Sequence, residues 1–277
     1  TTWQHHFIDI PTGLLAGAFC LWLFPIQAKS PFKKDGLQVL TPKHFKLGTY
    51  YLVGAALLCL PAIWLKSSFL WLLYPAFSLF MVSLAYFTVR PHFFQKQNNG
   101  DLSIATKMLF APYLIFAWFN SRFWTRNHSE DSLILKLSNI TIFLGRIPST
   151  NNTKQYQGLF DCVAELPVHC QNHSQQYSSL DLIPLQVNQL DQAVSAFNLL
   201  LDVIPHQESD PKILIFCALG YSRSSAILAA WLIQQNHATN AEQAIEIIRQ
   251  ARPWVVLKQP QIQHIQAYQF KLKGLAP

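Results

Sequence analysis

Hydrophobic and polar positions alternate on two different rhythms along the chain. Up to about residue 125 the apolar residues come in long, nearly uncharged runs: "GLLAGAFCLWLFPI" at 13–26, "LGTYYLVGAALLCLPAIWL" at 47–65, "FLWLLYPAFSLFMVSLAYFTV" at 69–89 and the shorter "MLFAPYLIFAWF" at 108–119. Runs near twenty residues match the ~30 Å hydrocarbon thickness of a bilayer. From about residue 140 the runs shorten. "ITIFLG", "LFDCVAEL", "LDLIPL" and "KILIF" read as strands, the last at 212–216. "LDQAVSAFNLLLDVI", "SSAILAAWLIQQN", "NAEQAIEIIRQAR" and "QPQIQHIQAYQFKL" recur at helical spacing. Strands alternating with helices predict an α/β domain with a mostly parallel central sheet flanked by helices, preceded by an α-helical transmembrane region.

Charge sharpens this division. The chain carries +7 overall. Residues 1–125 hold ten Lys/Arg against three Asp/Glu, and residues 126–277 hold eleven of each. A positive balance confined to the apolar half belongs to a membrane region with basic flanks and not to a nucleic-acid binder. Lys29, Lys33, Lys34, Lys43 and Lys46 crowd the loop between the first two runs, which places that loop in the cytoplasm. Spans at about 13–26, 47–65 and 69–89 follow. The segment 108–124 is an interfacial helix or a fourth span; lying flat, it leaves the C-terminal half cytoplasmic. The expected organisation is a membrane region at 1–125, a linker at 126–139 and a domain at 140–277. The chain opens without Met or a signal-peptide pattern, as an N-terminally truncated piece would. Of five cysteines, Cys20 and Cys59 sit in apolar runs and act as small hydrophobes, and Cys162 and Cys170 are close enough in sequence to pair in an oxidising compartment. No zinc spacing occurs.

Residues 212–233, "KILIFCALGYSRSSAILAAWLI", place chemistry between a buried strand and a helix. Cys217 ends the strand, Ala218, Leu219, Gly220, Tyr221, Ser222 and Arg223 form a tight loop, and a helix starts near Ser224. Such a loop turns successive backbone N–H groups into one cavity at a helix N-terminus, where the dipole adds positive potential. A cysteine there has a depressed pKa and reacts as thiolate. Arg223 can fork onto two oxygens of a phosphate. Gly220 lets the chain turn, and Ser224 can donate to the sulfur as it leaves.

This Cys-x5-Arg-Ser loop resembles that of the dual-specificity branch of the cysteine-dependent protein tyrosine phosphatases. "FLGRIPS" (143–149), "CVAELP" (162–167) and "AEQAIEIIRQARP" (241–253) extend the resemblance over most of 140–277. It implies a phosphoric monoester hydrolase working through a phosphocysteine on Cys217, with no metal or cofactor. "TKMLFAPYLIFAWFNSRF" followed by "IFLGRIPS" is similar to the start of the mitochondrial phosphatidylglycerophosphate phosphatases. "HHFIDIPTG" (5–13), with His5-x3-Asp9 before an apolar run, resembles the tail of the last signature of the membrane-bound phosphatidic-acid phosphatase (PAP2) superfamily, which would make 1–26 the tail of such a domain. Together these look like a PAP2–dual-specificity phosphatase fusion of a bacterial inner membrane.

Two departures from the family pattern matter. Phe216 stands where the family usually has His. The general acid, usually an Asp on the loop after the preceding strand, faces "IPLQVNQLDQ", with Gln186, Val187 and Asn188 at the matching places. Asp191 is the nearest carboxylate downstream and is taken as the acid, with Asp181 as the alternative. The loop interior lacks the Lys expected for polyphosphorylated inositides, so the expected partner is a singly phosphorylated lipid or a phosphoprotein, met at a membrane. The competing expectation is a catalytically weak pseudophosphatase that binds phosphorylated lipids or proteins.

Overall fold

The computed structural model describes residues 2–26, 28–33, 39–65, 67–137, 140–169, 173–204 and 210–274. Lys34, Cys170 and the side chain of His5 lie outside the described residues. The chain folds as two compact units.

The first unit comprises Thr1–Gln97, Asp101–Asn120 and Ala164–Pro167. Helices α1 (Thr2–Leu23), α2 (Pro42–Leu65), α3 (Leu73–Phe87) and α4 (Ile104–Leu109) are built from its apolar runs, and α5 (Ala111–Trp124) starts in it. Residues 42–65 and 68–87 are long and apolar enough to cross a bilayer, whereas the apolar part of α1 is the shorter Asp9–Leu23. The run expected at 13–26 therefore stops as helix at Leu23, ahead of Pro25. α2 and α3 pack closely because Gly48 presents no side chain: a Cβ there would stand 2.8 Å from the Phe87 ring. Ser83 Oγ donates to the Gly48 carbonyl at 2.8 Å. Trp22 anchors the interior, its Nε1 donating to Phe93 O at 2.8 Å while Gln95 Nε2 donates to Trp22 O at 2.6 Å. The outward faces stay apolar, with Leu57, Ile63 and Trp64 of α2 all exposed. The expected 108–124 segment is broken at Phe110 between α4 and α5. α5 has 14 residues, so it spans about 21 Å.

The second unit comprises Asn98–Gly100, Ser121–Val163 and Val168–Pro277. Its sheet contains β1 (Ser132–Lys136), β2 (Thr141–Arg146), β3 (Gly158–Val163), β4 (His173–Ser179) and β5 (Lys212–Cys217), in the order β1-β2-β5-β3-β4. All pairs are parallel except the antiparallel edge β1. The four-residue α6 (Thr150–Thr153) lies between β2 and β3, and α7 (Val187–Val203), α8 (Arg223–Gln234), α9 (Ala241–Ala251) and α10 (Gln259–Leu272) complete the unit. α8 is buried over its first eleven residues and packs against α7, α9 and α10, as an apolar sequence on most faces requires.

Two expectations are corrected. "LDLIPL" is not a strand: Leu182 takes a left-handed φ of 60° and Pro184 has no N–H to give a ladder. The edge strand is instead the polar "HSQQYSS" of β4, whose half-buried residues show no apolar alternation. The stretch 126–139, expected as a linker, carries β1.

The core centres on Phe197, fully buried and edge-on to Phe160 at 5.1 Å and Trp231 at 5.4 Å. Phe197→Ala is expected to cost about 3–5 kcal/mol in urea unfolding followed by near-UV circular dichroism. Leu199→Ala, on the exposed side of the same helix, should stay within about 0.5 kcal/mol. Equal losses would contradict this placement of the core.

Candidate active site

β5 is the central strand, with β2 on one side and β3 on the other, and Cys217 lies opposite Arg146 at its C-terminal end. In open parallel sheets that end, where connections leave in both directions, is where ligands bind. The loop from Cys217 reaches α8 at Arg223, with Ser222 as the N-cap.

The loop carbonyls are held from outside. Ser121 Oγ donates to Ala218 O at 2.6 Å. Arg252 Nη2 donates to Leu219 O at 3.5 Å and its Nε to Gly220 O at 3.0 Å. The Val256 amide donates to Tyr221 O at 2.9 Å. The C=O of one residue and the N–H of the next belong to one planar trans unit and point in opposite directions. Four carbonyls drawn outward therefore turn the N–H groups of residues 219–222 inward. The amides of Ser222 and Ser224 bond the Cys217 sulfur. The Ser224 hydroxyl, buried without an oxygen or nitrogen partner, also serves that sulfur.

Two glycines make this possible. Gly220 has φ +70°, and a Cβ on it would meet Gly145 O at 2.3 Å. At Gly145 a Cβ would lie 1.8 Å from Asp131 Oδ1. Asp131 is held there by the Tyr156 hydroxyl, which donates to its Oδ2 at 2.6 Å. Burial pushes the Asp131 carboxyl up, against the hydrogen bond from Tyr156 and the charges of Arg252 and Arg146.

Cys217 is 3% exposed. Burial pushes its thiol up, but the Arg223 guanidinium, the Ser224 hydroxyl and the amides of Ser224 and Ser222 outweigh it, so the thiol lies below its ordinary range. Arg223 is equally buried; its Nη1 donates to Ser179 O at 2.7 Å and its Nη2 stands 3.1 Å from Asp181 Oδ1. Asp181 lies two residues beyond the end of β4 and is partly open to solvent. His264 Nδ1 donates to Leu185 O at 2.9 Å, tying the Asp181 loop to α10.

The structure thus brings Cys217, Ala218–Arg223, Ser224 and Asp181 together. It does not bring Asp191: that residue lies on α7 and pairs with Lys271 at 2.8 Å. Phe216, in the family's His position, is fully buried. Arg252 and Ser121 bond the loop carbonyls, and the sequence pattern does not single them out. The "RP" pair at 252–253 was the available signal for Arg252, and nothing marks Ser121. Among the described residues no three His, Cys, Asp or Glu are grouped to hold a metal ion; the groups able to hold an anion are the loop amides and Arg223.

Residues 142–271 match the family described as dual specificity phosphatase, catalytic domain. Mouse dual specificity protein phosphatase 2 is 29% identical over 116 residues, covering 40% of this chain and 35% of that protein. The chain thus spans about a third of this curated relative. A crystal structure of PTPMT1 in complex with PI(5)P is 18% identical, covering 48% of this chain and 92% of that one, with a TM-score of 0.41. Human DUSP28 is 17% identical, covering 48% and 94%, with a TM-score of 0.39. The match to phosphatases of the protein tyrosine/dual-specificity type thus lies in residues 142–271, just under half of the chain.

Removing the cation beside the sulfur must disfavour the thiolate. Alkylation of Cys217 by iodoacetamide should be half-maximal below the usual thiol value of about 8.5. Arg223→Ala should move that midpoint upward; an unchanged midpoint would contradict the assigned cause. Gly220→Ala, strained and in collision with backbone, should lose at least tenfold in oxyanion affinity, about 1.4 kcal/mol or more, by titration with tungstate.

Proposed function

We propose that this protein is a membrane-anchored, cysteine-dependent phosphatase that hydrolyses phosphate monoesters through a phosphocysteine intermediate. The observation that carries the reading is a buried Cys217 with Arg223 and the amides of Ser222 and Ser224 beside it, in a loop whose carbonyls are bonded by Ser121, Arg252 and Val256, an arrangement that leaves the loop amides as a ring over the sulfur. A phosphate dianion seated in that ring puts phosphorus in line with the sulfur. The thiolate attacks phosphorus and the P–O bond to the alcohol breaks, while Arg223 and the amides stabilise the equatorial oxygens. Asp181 delivers a proton to the departing oxygen. Water then attacks the phosphocysteine, Asp181 takes its proton, and the S–P electrons return to sulfur, where Ser224 donates a hydrogen bond.

Asp181 is preferred to Asp191 as the acid because it faces Arg223, which must itself face the substrate. The apolar loop residues Ala218, Leu219 and Tyr221 favour a singly phosphorylated lipid headgroup or phosphoprotein over a polyphosphorylated one. The apolar stretches 42–65 and 68–87 and the exposed faces beside them support membrane anchoring. The length of α5, below the hydrocarbon thickness, supports an interfacial setting. With the lysine-rich loop after the first run inside, the phosphatase unit faces the cytoplasm of a bacterial inner membrane.

A second reading has its own support. Phe216 removes the polar neighbour usual before the nucleophile, which favours a pseudophosphatase that holds phosphorylated ligands without turnover. Kinetics separate the two. The first expects steady hydrolysis of p-nitrophenyl phosphate, abolished by Cys217→Ser. Asp181→Asn should slow aryl phosphates little and alkyl phosphates about 100- to 10,000-fold, with Asp191→Asn near wild type. Tungstate binding without hydrolysis at any pH would leave the second reading standing and overturn the first.

A further inference from the structure

The donors that hold the loop from outside have unequal origins. Arg252 and Val256 follow α9, a short way down the chain from the loop. Ser121 comes from the last turn of α5, 97 residues before the carbonyl it bonds. It is 1% exposed, and its partner Ala218 is buried as well, so no water is placed to replace the hydroxyl.

The turn carrying Ser121 is itself fixed. Thr125 Oγ1 donates to Ser121 O at 2.6 Å. Arg146 Nη1 donates to Thr125 Oγ1 at 2.6 Å, and Arg146 lies opposite Cys217 in the sheet. Arg122 Nη1 donates to Ile147 O at 3.1 Å. The Tyr221 hydroxyl donates to Trp124 O at 3.2 Å, a second bond between this turn and the loop. Further along, His128 stacks on Trp254 at 4.0 Å and Glu130 O accepts from Arg252 Nη1 at 2.9 Å. The stretch 121–130 thus lines the outer wall of the loop.

We propose that Ser121 is a positioning residue for the phosphate loop, acting through the Ala218–Leu219 peptide. Its hydroxyl fixes the Ala218 carbonyl outward, and the Leu219 N–H is thereby fixed inward as the first amide of the anion ring. The helix end is in this way a working part of the active site. The inference rests on the reading of 217–223 as a phosphate-binding loop.

The test uses the full chain in detergent, with p-nitrophenyl phosphate as substrate and tungstate as the anion probe. Ser121→Ala is expected to weaken tungstate binding and to lower kcat/KM, each about tenfold, as loss of one ordering hydrogen bond implies. Ser121→Thr, which restores a hydroxyl, should recover both. A merely structural role would lower the unfolding temperature while leaving tungstate affinity per folded molecule unchanged. Ser121→Ala binding tungstate as tightly as wild type, or Ser121→Thr losing as much as Ser121→Ala, overturns the proposal. Should Ser121→Ala not fold, Ser121→Cys, of similar size and a weak donor, takes its place: reduced tungstate affinity supports the proposal and unchanged affinity overturns it. Wild-type protein that binds no tungstate overturns the phosphate-loop reading and this inference together.

Discussion

Amide N–H groups aimed at one point repel one another, and a loop that aims four of them inward relaxes unless something holds it. Here the restraint is applied to the other end of each peptide unit. Ser121, Arg252 and Val256 bond the carbonyls of residues 218–221, and the planarity of the peptide converts that outward pull into inward-facing donors. Inside the ring the sulfur of Cys217 takes the amides of Ser222 and Ser224, so the positive nest and the lowered thiol are two sides of one arrangement.

The two buried arginines have complementary places in this scheme. Arg223 lies on the ligand side, its guanidinium shared between the Ser179 carbonyl and Asp181. Arg252 lies behind the loop, fully buried, and adds the carbonyls of Glu130 and Leu144 to those of Leu219 and Gly220. Neither could be exchanged for lysine without losing the geometry, because each uses several donors of the fork at once. The glycines follow from the same packing: the loop passes so close to Gly145 that residue 220 has no room for a side chain, and Asp131 takes the space beside Gly145.

Much of this was legible in the sequence because local rules govern it. Cys217 at the end of an apolar strand, Gly220 in the turn and a helix from Arg223 are strand–loop–helix features within a dozen residues, and the four long helices of the domain show their period openly. β4 was not legible, since an edge strand of Ser, Gln and Tyr has no apolar alternation to reveal it. In its place a strand was expected at 180–185, where the turn at Leu182 instead keeps Asp181, the alternative to Asp191 as acid, beside Arg223. Ser121 was hidden for a different reason: a serine at the end of an apolar helix acquires its meaning from a carbonyl 97 residues away.

A helix rich in aromatic residues ends at Trp124, and Ser121 in its last turn bonds the Ala218 carbonyl. In the proposed reaction an ionised Cys217 under a ring of donors is the transient carrier of phosphate. The most direct measurement is mass spectrometry of protein quenched in acid during turnover of an aryl phosphate, followed by mapping of the modified residue. The account predicts a phosphoryl group on Cys217 that disappears when substrate is exhausted. Turnover with no adduct, or with the phosphoryl group on another residue, would contradict it.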